Sequence, residues 1–282
     1  MFIQSKQGKV ILAAAGPGDP ELVTLKTVRY LQKAEVVLTD RLVSDGILKH
    51  VPATAKVLYV GKQCGRGIST SQATINELMV HHAKQGKLVV RLKGGDVSIF
   101  SNVLDELQAL SEHRISYEIV PGVTAALGAA AYSGIPLTAR GYATAVRFLT
   151  YYKKELVTEA YWKELAATDD TLVFYMSSGT LDEIVHYLTE NNISPDKLLA
   201  VVEQATTPNQ QVYTSNLYEY ANTLQGKQFV SPSLVIVGKV VALHQQFQWI
   251  ANAANTDTYF KTVASLPNPY QNNKAQQHVT RA

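Results

Sequence analysis

The chain has 282 residues, 46% of them hydrophobic and 17% charged, with a formal net charge of +3. This ordinary soluble composition carries no apolar run long enough to cross a bilayer and no clustered basic stripe of the kind that binds nucleic acid. Cys64 is the sole cysteine, which excludes a disulfide scaffold or a cysteine metal site within one chain. The opening MFIQSKQGK lacks an apolar signal core, so a cytoplasmic protein is expected. The mild positive balance is compatible with a small anionic substrate.

Val10–Ala15 is a short apolar run ending in Gly16-Pro17-Gly18, a buried strand followed by a tight turn. Pro20 suits a first helical turn, and Leu22, Leu25, Val28 and Leu31 follow at helical spacing. Strands are expected at Val36–Thr39 and Val57–Val60. Ser71 can cap a helix carrying Ile75, Leu78, Met79 and His82 on one face. Gly86 ends it before a strand at Leu88–Leu92, the loop Gly94-Gly95-Asp96, a helix near Val103–Leu110 and a strand at Tyr117–Val120. Such βα alternation implies a largely parallel sheet with helices on both faces.

After an alanine-rich helix at Thr124–Tyr132 and a connector at Gly134–Gly141, a second α/β unit is expected. Its strands are read at Val146–Thr150, Leu172–Met176, Leu198–Val202, Gln211–Thr214 and Leu234–Val241, with helices near Leu181–Asn191 and Asn216–Leu224. The fold class is therefore α/β in two domains, 8–125 and 126–250. From residue 251 the composition turns to Ala, Asn, Gln and Thr, and a weakly ordered tail over 251–282 is expected.

The turn Gly16-Pro17-Gly18-Asp19-Pro20-Glu21 comes close to G-x-G-x-x-G, and Asp40 ends the second strand where a dinucleotide binder places its ribose acid. Three features oppose that reading. The third glycine is Glu21, Pro17 and Pro20 remove backbone donors from a phosphate cradle, and Glu21 adds a negative charge at the helix start. A plain strand-to-helix corner remains the other reading of the turn taken alone.

A longer ordered set of motifs carries a resemblance. GPGDPELVTLK, DRLVS, VGK at Val60–Lys62, VVRLKGGD at Val89–Asp96, VPGVTAA at Val120–Ala126, YSGIPLT at Tyr132–Thr138, VFYM at Val173–Met176 and SPSLVIVGKVV at Ser231–Val241 follow one another. Over about Gly8–Leu243 the chain resembles the tetrapyrrole methylases, in particular those that methylate uroporphyrinogen III on the siroheme and cobalamin branch.

The resemblance implies two α/β domains with S-adenosyl-L-methionine in the cleft between them, usually as a homodimer, leaving S-adenosyl-L-homocysteine as product. It implies cofactor contacts at Pro17, Gly94, Gly95, Asp96, Ile99, Thr124, Ala125, Met176 and Ala205. It assigns Asp40 as proton acceptor and Lys62 as proton donor. The expected reaction is C-methylation of uroporphyrinogen III at carbons 2 and 7. The substrate is a polycarboxylate, so cations are expected in the cleft: Arg41, Arg66 and Arg140 foremost, with Lys62, Arg91, Lys93 and Arg147 as further candidates. No metal is expected: His81-His82 lacks the i, i+4 partner of a zinc motif. Neither a nucleic-acid nor a membrane partner is implied. Without the fused dehydrogenase/chelatase unit of siroheme synthases, later siroheme steps are expected to fall to other proteins.

The chain departs from the family pattern at Val97–Asp105, where Pro and then Phe-Gly-Arg-Gly-Gly-Glu-Glu are usual, and at Gly65–Gln72, which lacks a histidine. Ala139 and Tyr151-Tyr152 also differ from the usual residues. These changes bear on substrate identity more than on cofactor binding.

Overall fold

A computed structural model describes residues 8–61, 70–151 and 157–261. The chain forms two compact units. One is the chain through Thr124 together with the returning Phe260 and Lys261; the other is Ala125–Tyr259.

The first unit alternates strand and helix: β1 Lys9–Ala14, α1 Leu25–Leu31, β2 Val36–Thr39, α2 Asp45–Leu48, β3 Lys56–Tyr59, α3 Gln72–Lys84, β4 Leu88–Lys93, α4 Val103–Glu112 and β5 Ser116–Val120. The strands lie in the order β3-β2-β4-β1-β5, all parallel. Successive strand residues point to opposite faces. Val10, Leu12, Val36, Leu38 and Val89 therefore meet Ile75 and Met79 of α3 and Leu110 of α4. Their neighbours Ile11, Ala13, Val37, Val90 and Leu92 meet Leu31 of α1 and Ile47 of α2. Covering both faces is why β1 and β2 read as apolar runs. Side-chain oxygens of Thr24 and Ser71 accept from the backbone N–H groups of Thr27 and Thr74, at 3.2 and 3.1 Å, and cap α1 and α3.

On the edge strand β5, Glu118 accepts from Lys9 Nζ, Lys26 Nζ and the Tyr30 hydroxyl, each at 2.6 Å. Lys26, then Lys9 and Tyr30, pull its pKa from 4.5 down to about 2. A depressed carboxylate pKa stabilises the fold above the unfolded value and ceases to as pH falls through the folded one. The wild type should thus exceed a Glu118→Gln variant in thermal midpoint near neutrality, and the gap should close between pH 4.5 and about 2. Because the cluster is partly exposed, added salt should shrink the gap. A gap independent of pH and salt would refute this.

The second unit contains α5 Ala125–Ser133, β6 Val146–Thr150, α6 Glu159–Ala167, β7 Thr171–Tyr175, α7 Leu181–Glu190, β8 Leu198–Glu203, β9 Gln211–Asn216, α8 Tyr220–Thr223, β10 Ser233–Gly238 and α9 His244–Phe247. Its sheet runs β6-β7-β10-β8-β9. Only the β6–β7 pair is parallel; β10 is antiparallel to β7 and β8, and β9 to β8. The alternation rule thus carries the first sheet but not the second. Residues 204–210 are too short a link for a parallel crossover, so β8 and β9 fold back as neighbours. Trp162 and Leu165 of α6 and Ile184 and Leu188 of α7 cover one face, against Leu172, Phe174, Val201 and Val235.

The expectation of a weakly ordered tail from 251 is corrected through residue 261. The Asn252 side chain mimics a strand on the edge of β9, its Oδ1 accepting from Val212 N at 2.7 Å and its Nδ2 donating to Val212 O at 3.0 Å. Ala253 N donates to Gln210 O at 3.1 Å. The Asp257 carbonyl accepts from Gln204 Nε2 at 3.0 Å and Asn209 Nδ2 at 2.9 Å. Phe260 is buried, and Lys261 pairs with Asp45 at 2.6 Å in the first unit. Amide side chains can replace ladder bonds without apolar periodicity, so composition does not reveal such a segment. Residues 262–282 lie outside the described residues. No helix among the described residues is long and apolar enough to cross a membrane.

Candidate active site

In a parallel sheet the loops that carry chemistry leave the carboxyl ends of the strands. Asp40 stands one residue past β2, its N–H donating to Leu92 O of β4 at 3.2 Å. Its side chain is 26% exposed, and Oδ1 accepts from Arg91 Nη2 at 2.7 Å. Among the described residues Oδ2 has no hydrogen-bond partner.

Arg91 lies in β4, pairs in register with Leu38 of β2, and is buried. Its Nε donates to Glu106 Oε1 of α4 at 2.9 Å, and its Nη1 to the carbonyls of Leu38 and Leu92 at 3.3 and 3.2 Å. Glu106 is wholly buried, and its other oxygen accepts from Lys93 Nζ at 2.8 Å. Lys93, Glu106, Arg91 and Asp40 thus form a row of alternating charge. Burial alone would lower the Arg91 pKa, but the charges of Asp40 and Glu106 outweigh it and raise it. Lys93 is held below its usual range, by burial first and then by the Arg91 charge, against Glu106.

This placement corrects three of the expected cleft cations. Arg91 and Lys93 are internal, because a central strand is covered on both faces as far as its carboxyl end. Arg147 is tied to Glu164 at 2.5 Å and Asp170 at 2.6 Å. Arg140 is exposed in the second unit, and Arg41 is half-buried beside Asp40. Lys62 and Arg66 lie outside the described residues, as do Cys64 and Tyr152.

The other expected contacts of the first unit collect on the neighbouring loops. Gly16 and Gly95 exchange two backbone hydrogen bonds, N to O at 3.1 Å and 2.7 Å, which sets buried Pro17 beside the Gly94-Gly95-Asp96 turn. A Cβ on Gly94 would stand 3.0 Å from Leu42 Cβ, so this turn also abuts the Asp40-Arg41-Leu42 loop. The Asp96 carboxylate faces inward: Oδ1 accepts from Ser98 N and Oγ, and Oδ2 from Gly122 N at 2.9 Å. Burial opposes its charge, yet these donors keep its pKa below the ordinary range. Asp96 therefore ties the β4 loop to the β5 loop that leads to buried Thr124. Ile99 is half-buried. A Cβ on Gly122 would meet Ala14 Cβ at 2.6 Å. Gly122→Ala should lower stability by about 1–3 kcal/mol in urea unfolding, through overpacking; an unchanged midpoint would refute the close approach.

In the second unit Ala125 begins α5, and the Tyr175 hydroxyl accepts from Ala126 N at 3.0 Å. Met176, just past β7, exposes 58% of its surface at φ 55°. Ala205 is buried, flanked by Gln204 and Thr206 at φ 47° and 66°. Strained backbone of this kind concentrates at ligand-binding positions. In the first unit Phe100 and Asn102 are also left-handed, inside the segment Val97–Asp105.

Residues 9–221 match the family described as Tetrapyrrole (Corrin/Porphyrin) Methylases. The chain belongs to the tetrapyrrole methylases. It is 42% identical over 247 residues to the siroheme synthase of Vesicomyosocius okutanii, covering 88% of this chain and 53% of that protein. It is 46% identical over 244 residues to the siroheme synthase of Acinetobacter baylyi, covering 86% and 53%. The chain spans about half the length of these synthases. Among solved structures, it resembles the uroporphyrin-III C-methyltransferase of Thermus thermophilus complexed with S-adenosyl homocysteine. That likeness has 36% identity and a TM-score of 0.69, and covers 83% of this chain and 93% of the other. A cobalt precorrin-4 methyltransferase matches at 25% identity and TM-score 0.74, over 86% and 99%. The tetrapyrrole methylase fold expected from the ordered motifs is the fold found.

Glu106 is the one member of the charged row that motif reading missed. A signal for it exists: Val103, Glu106, Leu107 and Leu110 share one helical stripe, and a carboxylate on an apolar stripe demands a buried partner.

Proposed function

We propose that this methylase transfers methyl groups to carbons 2 and 7 of uroporphyrinogen III, yielding precorrin-2 and S-adenosylhomocysteine, at the head of the siroheme and cobalamin branch. The observation that carries the reading is a partly exposed carboxylate, Asp40, fixed through one oxygen by a buried arginine at a parallel sheet's carboxyl edge. The names of the Thermus structure and the siroheme synthases supply the substrate class.

When bound, S-adenosylmethionine supplies an electrophilic methyl group on a sulfonium. The proposed contacts to such a donor are, in the first unit, buried Pro17 and the Gly94-Gly95 turn and, in the second unit, the exposed thioether of Met176 and small buried Ala205. With that donor in place, the electron-rich pyrrole carbon would form the new C–C bond, and the electron pair of the broken S–CH3 bond would stay on sulfur. Asp40 takes the proton that the methylated ring must lose, and Arg91 holds that carboxylate in place through Oδ1. Lys62 is the proposed proton donor, and Arg41, Arg66 and Arg140 the proposed holders of substrate carboxylates. A cytoplasmic homodimer is the proposed assembly, and light scattering checks its mass.

The test is anaerobic incubation with S-adenosylmethionine and enzymatically made uroporphyrinogen III, followed by mass spectrometry. Gain of two methyl groups is the expected result. No methyl transfer overturns the reading, and transfer only to precorrins would reassign the substrate within the family.

A further inference from the structure

We propose that Glu106 of α4 is a positioning residue for this reaction: it clamps the Arg91 fork so that Arg91 holds Asp40 by Oδ1 and leaves Oδ2 to the substrate. The inference rests on the reading of Asp40 as the base.

The geometry is specific. A guanidinium is a rigid plane whose N–H groups point along fixed directions. Arg91 uses three sides of that plane. Nη2 reaches Asp40, Nη1 reaches the carbonyls of Leu38 and Leu92, and the Nε side is fixed by Glu106 at 2.9 Å. Without Glu106, nothing among the described residues holds the Nε side, and the plane is free to tilt about the three contacts that remain, to Asp40 and the carbonyls of Leu38 and Leu92. Glu106 is itself held from the opposite side by Lys93 at 2.8 Å, so its carboxylate cannot swing away. Lys93 sits two residues from Arg91 on the same strand and faces the same helix. α4 is anchored in turn on α3 by Asn76 Nδ2, which donates to Asp105 O at 3.2 Å.

Energetics give a second reason. Three of the four members are almost wholly enclosed. Apolar side chains of like volume would serve stability as well or better than such a cluster. Stability alone therefore does not account for two cations and a carboxylate under α4. Orientation of the one member that emerges, Asp40, does account for them.

The experiment is a double-mutant cycle on the full chain, Asp40→Asn against Glu106→Met, read by single-turnover methyl transfer, by KM and by calorimetric binding of S-adenosylhomocysteine. Methionine keeps the length of the side chain and removes the oxygen that accepts from Arg91 Nε, which a glutamine would retain. E106M should lower the rate of methyl transfer about 10²-fold, the scale of a small misplacement, with KM and S-adenosylhomocysteine binding unchanged. D40N/E106M should be no slower than D40N. Because E106M leaves Lys93 Nζ without its carboxylate, the charge-balanced K93M/E106M is compared with K93M if E106M folds poorly. A normal rate in E106M beside an inactive D40N overturns the inference alone. So do losses that multiply in the double variant, or loss of binding together with rate. Full activity in D40N overturns the base assignment and this inference with it.

Discussion

Asparagine in place of Asp40 will cut methyl transfer by about 10²–10⁴-fold, the usual worth of a positioned base, while S-adenosylhomocysteine binding stays as in the wild type. Size and shape are kept, and the amide oxygen can still accept from Arg91 Nη2, now 2.7 Å from Asp40 Oδ1. What disappears is the capacity to take a proton. Arg91 retains Glu106 and two carbonyls, so its plane does not collapse. Because Asp40 lies partly exposed at a strand end, the thermal midpoint should move far less than the rate. Rapid-quench turnover beside calorimetry separates the two effects. Near-normal turnover would remove Asp40 from the chemistry, and joint loss of binding and rate would recast it as a structural residue.

What the sequence discloses of this site follows from the physics of each signal. Val36–Thr39 is legible to the residue, because a strand covered on both sides is a continuous apolar run. Asp40 is legible because it breaks such a run at its carboxyl end. Arg91 and Lys93 break the next run at the same end and were expected in the cleft because the implied substrate is a polycarboxylate, yet they point beneath α4. One-dimensional reading locates a charge along a strand but does not say which face holds its partner. Glu106 lies in a different element from Arg91, and only the packing of α4 on β4 joins them. Pairing direction in the second sheet was equally hidden. The run Leu234–Val241 looks like any other buried strand, and nothing in it discloses its antiparallel insertion between β7 and β8. Asn252 is the plainest case: a side-chain amide completes a ladder with no sequence period at all.

Replacing Glu106 by leucine should cost about 3–5 kcal/mol, because two buried cations then lose the carboxylate between them. Asp40 would remain as the only counter-charge in the row, in contact with Arg91 alone. The triple replacement R91M/K93M/E106L removes the whole enclosed cluster and should recover that loss, and could exceed the wild type by about 1–4 kcal/mol as other buried ion clusters do. Urea unfolding of both proteins checks the pair of values. An E106L chain as stable as the wild type would mean that the cations find water, contrary to their burial. Methyl transfer measured on the same samples gives the comparison its force. A cluster that served only to hold α4 on the sheet would return activity together with stability in the triple variant. A cluster that orients Asp40 would not: the repaired core no longer contains the guanidinium that grips Oδ1, so the most stable protein of the series should be among the slowest.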